Sequence, residues 1–330
     1  MIIARTPFRV SFLGGGTDLP DFWQEEEGAV LSTAIDKYMH ITVNNRFDQS
    51  WRLAYSKTEI VDDVSKIEHK IFRRVLEKYG ALAKSKNGGN GLEILSMADI
   101  PAGSGLGSSS SFTVSLLHAL KGHIGTFQSA EDLAREASEI EIVDLKEPIG
   151  KQDQYAAAFG GLRYIRFLPS GEVSAEPVIC TDDTKRALES HMLVFYTGVT
   201  RSASGVLAEQ KSNTIKKRET LRTMRDLAFR MKGSLEKNEA IQKAGELLHE
   251  GWNLKKTLAS GISAGPIDEW YDRAMSAGAY GGKILGAGGG GFLMVLCPPD
   301  KQAAVRVELK ELRPVTMKFD SFGSRIVFVG

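Results

Sequence analysis

The sequence predicts an α+β protein of two domains. The chain has 330 residues, enough for two domains at roughly 150 residues each. Strand-like and helix-like segments mix without a steady βαβ rhythm, the pattern of α+β rather than doubly wound architecture. Eleven of the 34 glycines gather in three loops, Gly14-Gly15-Gly16, Gly103-x-Gly105-x-Gly107 and Gly286-x-Gly288-Gly289-Gly290-Gly291. Average usage of about 7% would give roughly 23 glycines, so these loops account for the surplus.

Taken in order, Arg9 to Leu13 reads as a strand that ends in the first glycine loop. Ile41 to Asn44 and Trp51 to Tyr55 read as further strands. Ile60 to Tyr79 reads as a helix, with a glycine-rich turn at Lys86 to Gly91. Leu92 to Leu95 is a strand that leads to the second glycine loop, and a helix follows with Phe112, Leu116 and Leu120 at spacings of four. Ser129 is placed to cap the next helix, whose one face carries Ala130, Leu133, Ala134, Ala137 and Ile140. Gly160 to Phe167 and Met192 to Thr197 are strand-like. The polar stretch Thr181 to Lys185 lies between them, and the domain boundary is placed there: residues 1–182 form an N-terminal nucleotide-binding domain and 183–330 a C-terminal one. Long helical patterns run from Ala203 to Leu235 and from Ala240 to Leu258. The first has Leu221, Met224, Ala228, Met231 and Leu235 on one stripe. Lys283 to Leu285, the third loop and Phe292 to Cys297 read as strand, turn, strand. A helix and a strand at Arg325 to Val329 close the chain.

Composition narrows the function. Lys+Arg is 42 and Asp+Glu 41, a net charge of +1, so no overall field draws the chain to nucleic acid or anionic membrane. Cys180 and Cys297 build no disulfide framework and have no metal spacing, which suits a reducing cytoplasm. The N-terminus lacks a signal-peptide pattern. The uncharged stretch Ile284 to Pro299 is too short to span a bilayer. The expected partners are small molecules in the cytoplasm. Neither nucleic acid nor membrane is expected, and monomer and homo-oligomer are both open.

The motif with the most chemistry is Pro101-Ala102-Gly103-Ser104-Gly105-Leu106-Gly107-Ser108-Ser109-Ser110. Alternate glycines let a backbone approach a ligand closely. The helix that follows adds free N–H donors and its dipole, so the loop suits a di- or triphosphate. Ser108 and Ser109 offer hydroxyls to phosphate or magnesium. A bland glycine-serine turn is the poorer reading, since four serines open the helix. No Gly-Lys-Ser/Thr marks a Walker loop, and the protein-kinase signatures are absent. The third loop matches G-x-G-x-x-G, but a strand-like segment follows it where a dinucleotide fold needs a helix.

Three charged residues stand out. Ala130, Ala134, Ala137 and Glu141 are spaced four, three and four, so Glu141 falls on the apolar stripe while Glu139 points elsewhere. A buried carboxylate is costly unless paired or metal-bound; a magnesium ligand would explain Glu141, but on the helix alone a salt bridge or a partly exposed edge position is the better reading. Asp153, in the polar cluster Gly150 to Tyr155, can orient or deprotonate a hydroxyl beside a phosphate site; a helix cap is the plainer reading. Arg9 lies mid-strand, where its guanidinium can hold Asp153 or a transferring phosphate; an outward-facing strand residue is the rival. Asp18 is placed to hydrogen-bond substrate hydroxyls. Lys37, Arg46 and Arg201 are candidate cations for a substrate phosphate.

Together the three loops resemble the motifs of the GHMP kinases. Pro7 to Asp18 resembles the first motif, Pro101 to Ser110 the ATP-phosphate loop, and Lys283 to Phe292 the third. The resemblance implies a ribosomal protein S5 domain 2-like N-terminal domain, a ferredoxin-like C-terminal domain and a site between them. It implies ATP and Mg2+, with Asp153 as the catalytic aspartate and Arg9 beside it. It implies Glu141 and Ser109 as magnesium contacts, and Gly15, Gly16, Thr17, Asp18, Gly288 and Gly289 on the substrate side. Galactokinases carry Gly-Glu-His-Thr-Asp where this chain has Gly14-Gly15-Gly16-Thr17-Asp18. That form, with Glu147 to Tyr155 and Tyr196 to Arg201, resembles the D-glycero-D-manno-heptose 7-phosphate kinases, which phosphorylate the anomeric hydroxyl to give the 1,7-bisphosphate. The competing expectations are a kinase for a fucose- or galactose-like sugar, a non-catalytic binding protein of the same fold, and a GHMP-type decarboxylase.

Overall fold

The computed structural model describes residues 1–199, 203–263 and 265–330. The chain opens with β1 (Ile2–Leu13), a short helix α1 (Pro20–Trp23) and the 18-residue strand β2 (Gly28–Asn45). β1 and β2 are antiparallel over most of their length, with Ile2 opposite Val43 and Leu13 opposite Leu31. Next come β3 (Trp51–Ala54) and β4 (Thr58–Val61), then α2 (Lys70–Lys86), β5 (Leu92–Ala98) and α3 (Ser108–Ile124). The helix expected over Ile60 to Tyr79 is therefore corrected. Its start is strand β4, in which Glu59 points in and Ile60 out, and Asp63 caps a single 3-10 turn. Helical periodicity begins only at Lys70, where the His69 side chain caps the first turn.

α4 (Ala130–Ser138) starts at the Ser129 cap and passes without a break into a π-helical turn, Glu139–Asp144. It is followed by α5 (Gln152–Phe159), β6 (Leu162–Phe167) and β7 (Val173–Pro177). β7 went unread because it is only five residues long, ends in a proline and buries none of its side chains fully. With the closing strand β12 (Arg325–Val329), these strands build one eight-stranded sheet in the order β12-β1-β2-β5-β3-β4, with β6 on β2 and β7 on β6. The length of β2 makes this possible. Its first half pairs with β6 and its second half with β5. α3 packs on β1 and β2. It is apolar or small nearly all round, as a helix enclosed in a core must be, and Leu116, Leu117 and Leu120 are fully buried.

The second half is helical around a small sheet. α6 (Asp182–His191) begins at its Thr181 cap. Then follow β8 (Met192–Tyr196), α7 (Ala203–Asn213), α8 (Arg218–Glu236), α9 (Ile241–Lys255) and α10 (Pro266–Ser276). Last come β9 (Gly281–Ile284), β10 (Phe292–Leu296), α11 (Gln302–Glu308), β11 (Arg313–Pro314) and β12 (Arg325–Val329). The single helix expected from Ala203 to Leu235 is two. The break falls at Thr214 to Lys217, where the Thr214 hydroxyl bonds back to Gln210 O and the chain turns. α10 also went unread; Pro266 opens it. The four-stranded sheet runs β11-β8-β10-β9. β12 leaves this half and pairs antiparallel with β1, so the chain's last strand lies in the larger sheet.

The α8 stripe is buried as expected, and it serves two cores. Leu227, Ala228, Met231 and Leu235 join the core of the large sheet, while Leu221 and Met224 join Trp252, Tyr271 and Phe195 beside the small one. Among the described residues no helix is long and apolar enough to cross a membrane.

Candidate active site

The second and third glycine loops touch at Gly105 and Gly286, and the first and third line one cavity. The second loop ends at Gly107, whose φ of +76° turns the backbone into the first turn of α3. A side chain there would press on Asp153 Oδ2 and on the Arg9 stem. Gly105, at φ +83°, lies so close to the third loop that a Cβ would overlap the Leu285 carbonyl oxygen. Glycine is required at both positions, by handedness and by space.

Arg9 projects from β1 into this junction and is 4% exposed. The outward-facing reading is therefore excluded. Its Nε donates to Asp153 Oδ1 at 2.7 Å and its Nη2 to Oδ2 at 2.8 Å, a two-pronged pair. Its Nη1 donates to Gly105 O at 2.6 Å, and its backbone N–H to Leu106 O. One side chain thus fixes both the carboxylate and the second loop. Asp153 lies in the first turn of α5 rather than in a loop.

Two cavities adjoin this pair. One, of about 240 Å³, is lined by Gly103, Gly105, Gly107, Ser108, Ser109, Ser110 and Glu141, and by the third loop from Leu285 to Gly288 and at Gly290. The other, of about 80 Å³, is lined by Ser11, Gly15, Gly16, Asp18, Gln152, Gln210, Lys255 and Lys283. Arg9, Asp153, Ile149, Gly286 and Ala287 line both. Three larger hollows, of about 310, 780 and 920 Å³, include neither Arg9 nor Asp153 nor any of the three loops.

Glu141 sits in the π-helical turn that extends α4, fully buried, while Glu139 is exposed. The helical-face reading holds. A π-turn re-aims side chains locally, and such turns recur at functional sites. The Ser109 hydroxyl donates to Glu141 Oε1 and the Gln154 amide to Oε2, both at 2.7 Å. Burial pushes the carboxyl up to about 7 against these donors, and the Asp153 charge adds to the rise. Among the described residues no three His, Cys, Asp or Glu side chains cluster as a metal cage. One carboxylate and one hydroxyl facing a phosphate-sized cavity is nonetheless the donor set magnesium uses when substrate oxygens complete its shell.

On the second cavity, Asp18 is 3% exposed. Its Oδ1 accepts from Gly16 N at 2.8 Å. Burial raises its pKa above the ordinary aspartate value; the Gly16 N–H opposes this and the Asp153 charge reinforces it. Gly15 and Gly16 line this cavity as expected. Thr17 does not: its hydroxyl bridges Gly14 O and Ala29 O and receives Ala29 N, which locks the turn.

Other expectations are redistributed. Ser104 and Leu106 turn inward under the loop, and Pro101 and Ala102 are exposed outside the cavity. Gly288 lines the cavity of the second glycine loop rather than the one lined by Gly15, Gly16 and Asp18. Gly289 lines neither, and its N–H is bound to Ile262 O. Lys37 is paired with Asp36 and Arg46 with Asp48, both away from the two cavities. Arg201 lies outside the described residues.

Lys255 and Lys283 were not read from the sequence as site residues. A signal existed for the first. Ala244, Leu248, Gly251 and Lys255 follow the helical spacing that exposed Glu141, and all four are buried. Lys283 is a lone charge in the otherwise uncharged, buried strand β9.

A glycine loop that opens a helix, a hydroxyl–carboxylate set and an Arg-held aspartate between two cavities define a small-molecule phosphotransferase. The comparisons with known proteins agree. Residues 67–161 match the GHMP kinases N terminal domain and residues 231–314 the GHMP kinases C terminal domain. The chain belongs to the GHMP kinases. It is 28% identical to the D-glycero-alpha-D-manno-heptose 7-phosphate kinase of Campylobacter jejuni, over 91% of each chain. It is 29% identical to the L-fucokinase/L-fucose-1-P guanylyltransferase of Bacteroides fragilis, over 93% of this chain but 35% of that protein. The crystal structure of a D-glycero-D-manno-heptose 1-phosphate kinase from Bacteroides thetaiotaomicron superposes with a TM-score of 0.81, at 26% identity over the whole of both chains.

Proposed function

We propose that this chain transfers the γ-phosphoryl group of ATP to the anomeric hydroxyl of D-glycero-D-manno-heptose 7-phosphate, giving the 1,7-bisphosphate. The observation that carries this reading is the Arg9–Asp153 pair, set where a glycine-lined phosphate cavity adjoins a second, polar one. The acceptor's identity is supported by the heptose 7-phosphate kinase from Campylobacter jejuni, similar over nearly its full length. The related crystal structure is named for a heptose 1-phosphate, so the position of the acceptor's own phosphate is the point the assay must resolve.

In this reading the backbone N–H groups of the second loop and of the α3 N-terminus receive the nucleotide phosphates. Ser109 and Glu141 would hold magnesium, which supplies charge compensation for those phosphates when bound. Each Asp153 oxygen accepts one N–H from Arg9 and keeps a further lone pair for the acceptor hydroxyl. Arg9 prevents the carboxylate from turning away, so the hydroxyl is met in one orientation. Asp18 holds other hydroxyls of the sugar. Phosphoryl transfer needs little covalent help from the protein, and positioning with charge stabilisation does most of the work.

The test is a kinase screen of hexoses, heptoses and their phosphates with ATP and magnesium, the product assigned by phosphorus NMR. A new anomeric phosphate on heptose 7-phosphate is expected. Preference for heptose 1-phosphate or for an unphosphorylated fucose- or galactose-like sugar would replace the acceptor. No turnover on any sugar would favour a binding role.

A further inference from the structure

Lys255 and Lys283 have no part in the transfer step described above, yet both are 5% exposed and both line the acceptor-side cavity. Among the described residues each has one partner, a backbone carbonyl. Lys283 Nζ donates to Ser11 O at 2.8 Å, and Lys255 Nζ donates to Gly286 O. An ammonium has three N–H donors, so each lysine keeps two. Neither forms an ion pair among the described residues. The charged groups that face them are Arg9 from β1, Asp18 from the first loop and Asp153 from α5. Arg9 is already matched by Asp153. Two lysines therefore stand against Asp18 alone, in a place where unpaired charge is costly. Burial also biases Asp18 toward its neutral form, which widens the imbalance. Neither lysine lines the nucleotide-side cavity. The anion that balances them is one the acceptor brings.

We infer that Lys255 and Lys283 form an anion subsite for the acceptor, and that through it this chain selects sugars already carrying a phosphate monoester. The inference rests on the sugar-kinase reading and names the groups that read the acceptor's own phosphate, in place of Lys37 and Arg46. Burial, with the Arg9 charge adding to it, lowers Lys255 to about 8. A bound dianion reverses this, so binding at pH 8 draws a proton into the site.

The test uses the full-length protein with Lys255→Met and Lys283→Met, which keep an apolar stem of similar length. Folding is checked by circular dichroism and Tm. Heptose 7-phosphate and the same heptose without phosphate are compared as acceptors. Each variant is expected to lose about tenfold or more in kcat/KM on the phosphorylated sugar, through KM, and less than about threefold on the plain sugar. Equal losses on both, or none, overturn the subsite. Should the wild type turn over neither sugar, the proposed function fails and calorimetry still decides the subsite. With a non-hydrolysable ATP analogue filling the phosphate loop, inorganic phosphate should bind the wild type at pH 8 with proton uptake, read from buffers of different ionisation heat. Absence of binding, or binding without proton uptake, overturns the inference even where both variants fail to fold.

Discussion

At the scale of single residues the site turns on two carboxylates in contrasting surroundings. Asp153 is partly exposed and gripped by Arg9 through two hydrogen bonds. Glu141 is fully buried and bonded by Ser109 and Gln154. Asp153→Asn keeps shape but gives Arg9 only one good acceptor. It should leave ATP affinity within about threefold while turnover falls by roughly 10²–10⁴. Near-normal turnover would remove Asp153 from the reaction. Glu141→Gln should raise the magnesium concentration for half-maximal rate by about tenfold or more, whereas Glu139→Gln, on the exposed side of the same turn, leaves it unchanged. Equal effects of the two would defeat the assignment of Glu141 to the metal. Arg9→Lys keeps the charge but loses the fork, and should lower kcat more than it raises KM for ATP.

At the scale of elements, the π-turn after α4 and the interlocked second and third loops decide where these groups point. Much of this was legible. Glu141 was found because a carboxylate interrupted an apolar stripe, and the phosphate loop because alternate glycines preceded a serine-rich helix start. Other parts were hidden for physical reasons. Thr17 sits in the right motif, but its hydroxyl is spent inside the turn, which no local pattern reveals. Lys283 reads as an ordinary strand lysine until β9 is seen to face Ser11 on β1. Strand β4 and the break after α7 were missed because helical spacing was extended across segments where single side-chain caps and bonds redirect the chain. The loop contact gives a further prediction. Both Gly103 and Gly105 have positive φ, but a side chain at Gly103 meets nothing while one at Gly105 overlaps Leu285 O. Gly105→Ala should therefore cut kcat/KM for ATP at least about tenfold more than Gly103→Ala does. Equal losses would show that backbone handedness alone matters there.

At the scale of the whole molecule, the two halves are tied by features far apart in sequence. α8 contributes to both cores, β12 returns to the large sheet, and Lys283 joins β9 to β1 across the site. These ties enclose the lysine pair, and the enclosure has a measurable effect on stability. Lys255 is lowered to about 8 by burial, with Arg9 adding to it, against roughly 10.4 in an unfolded chain. Below pH 8 both states hold the proton, and the folded state bears the full penalty of a buried charge. Between pH 8 and about 10.4 the folded chain has released a proton that the unfolded chain keeps. The unfolded state then binds more protons, so stability rises with pH. Lys283 is also lowered, by burial and by the Lys255 charge, and acts in the same direction. Lys255→Met removes the Lys255 contribution together with the charge by which Lys255 lowers Lys283, so the variant loses part of both and leaves groups away from this cavity largely unchanged. Urea unfolding at pH 8.0 and 9.5 should therefore show the wild type gaining about 1.5 kcal/mol relative to the variant. Parallel pH profiles would mean that Lys255 is solvated in the folded protein, and the charge imbalance attributed to the acceptor cavity would go with it.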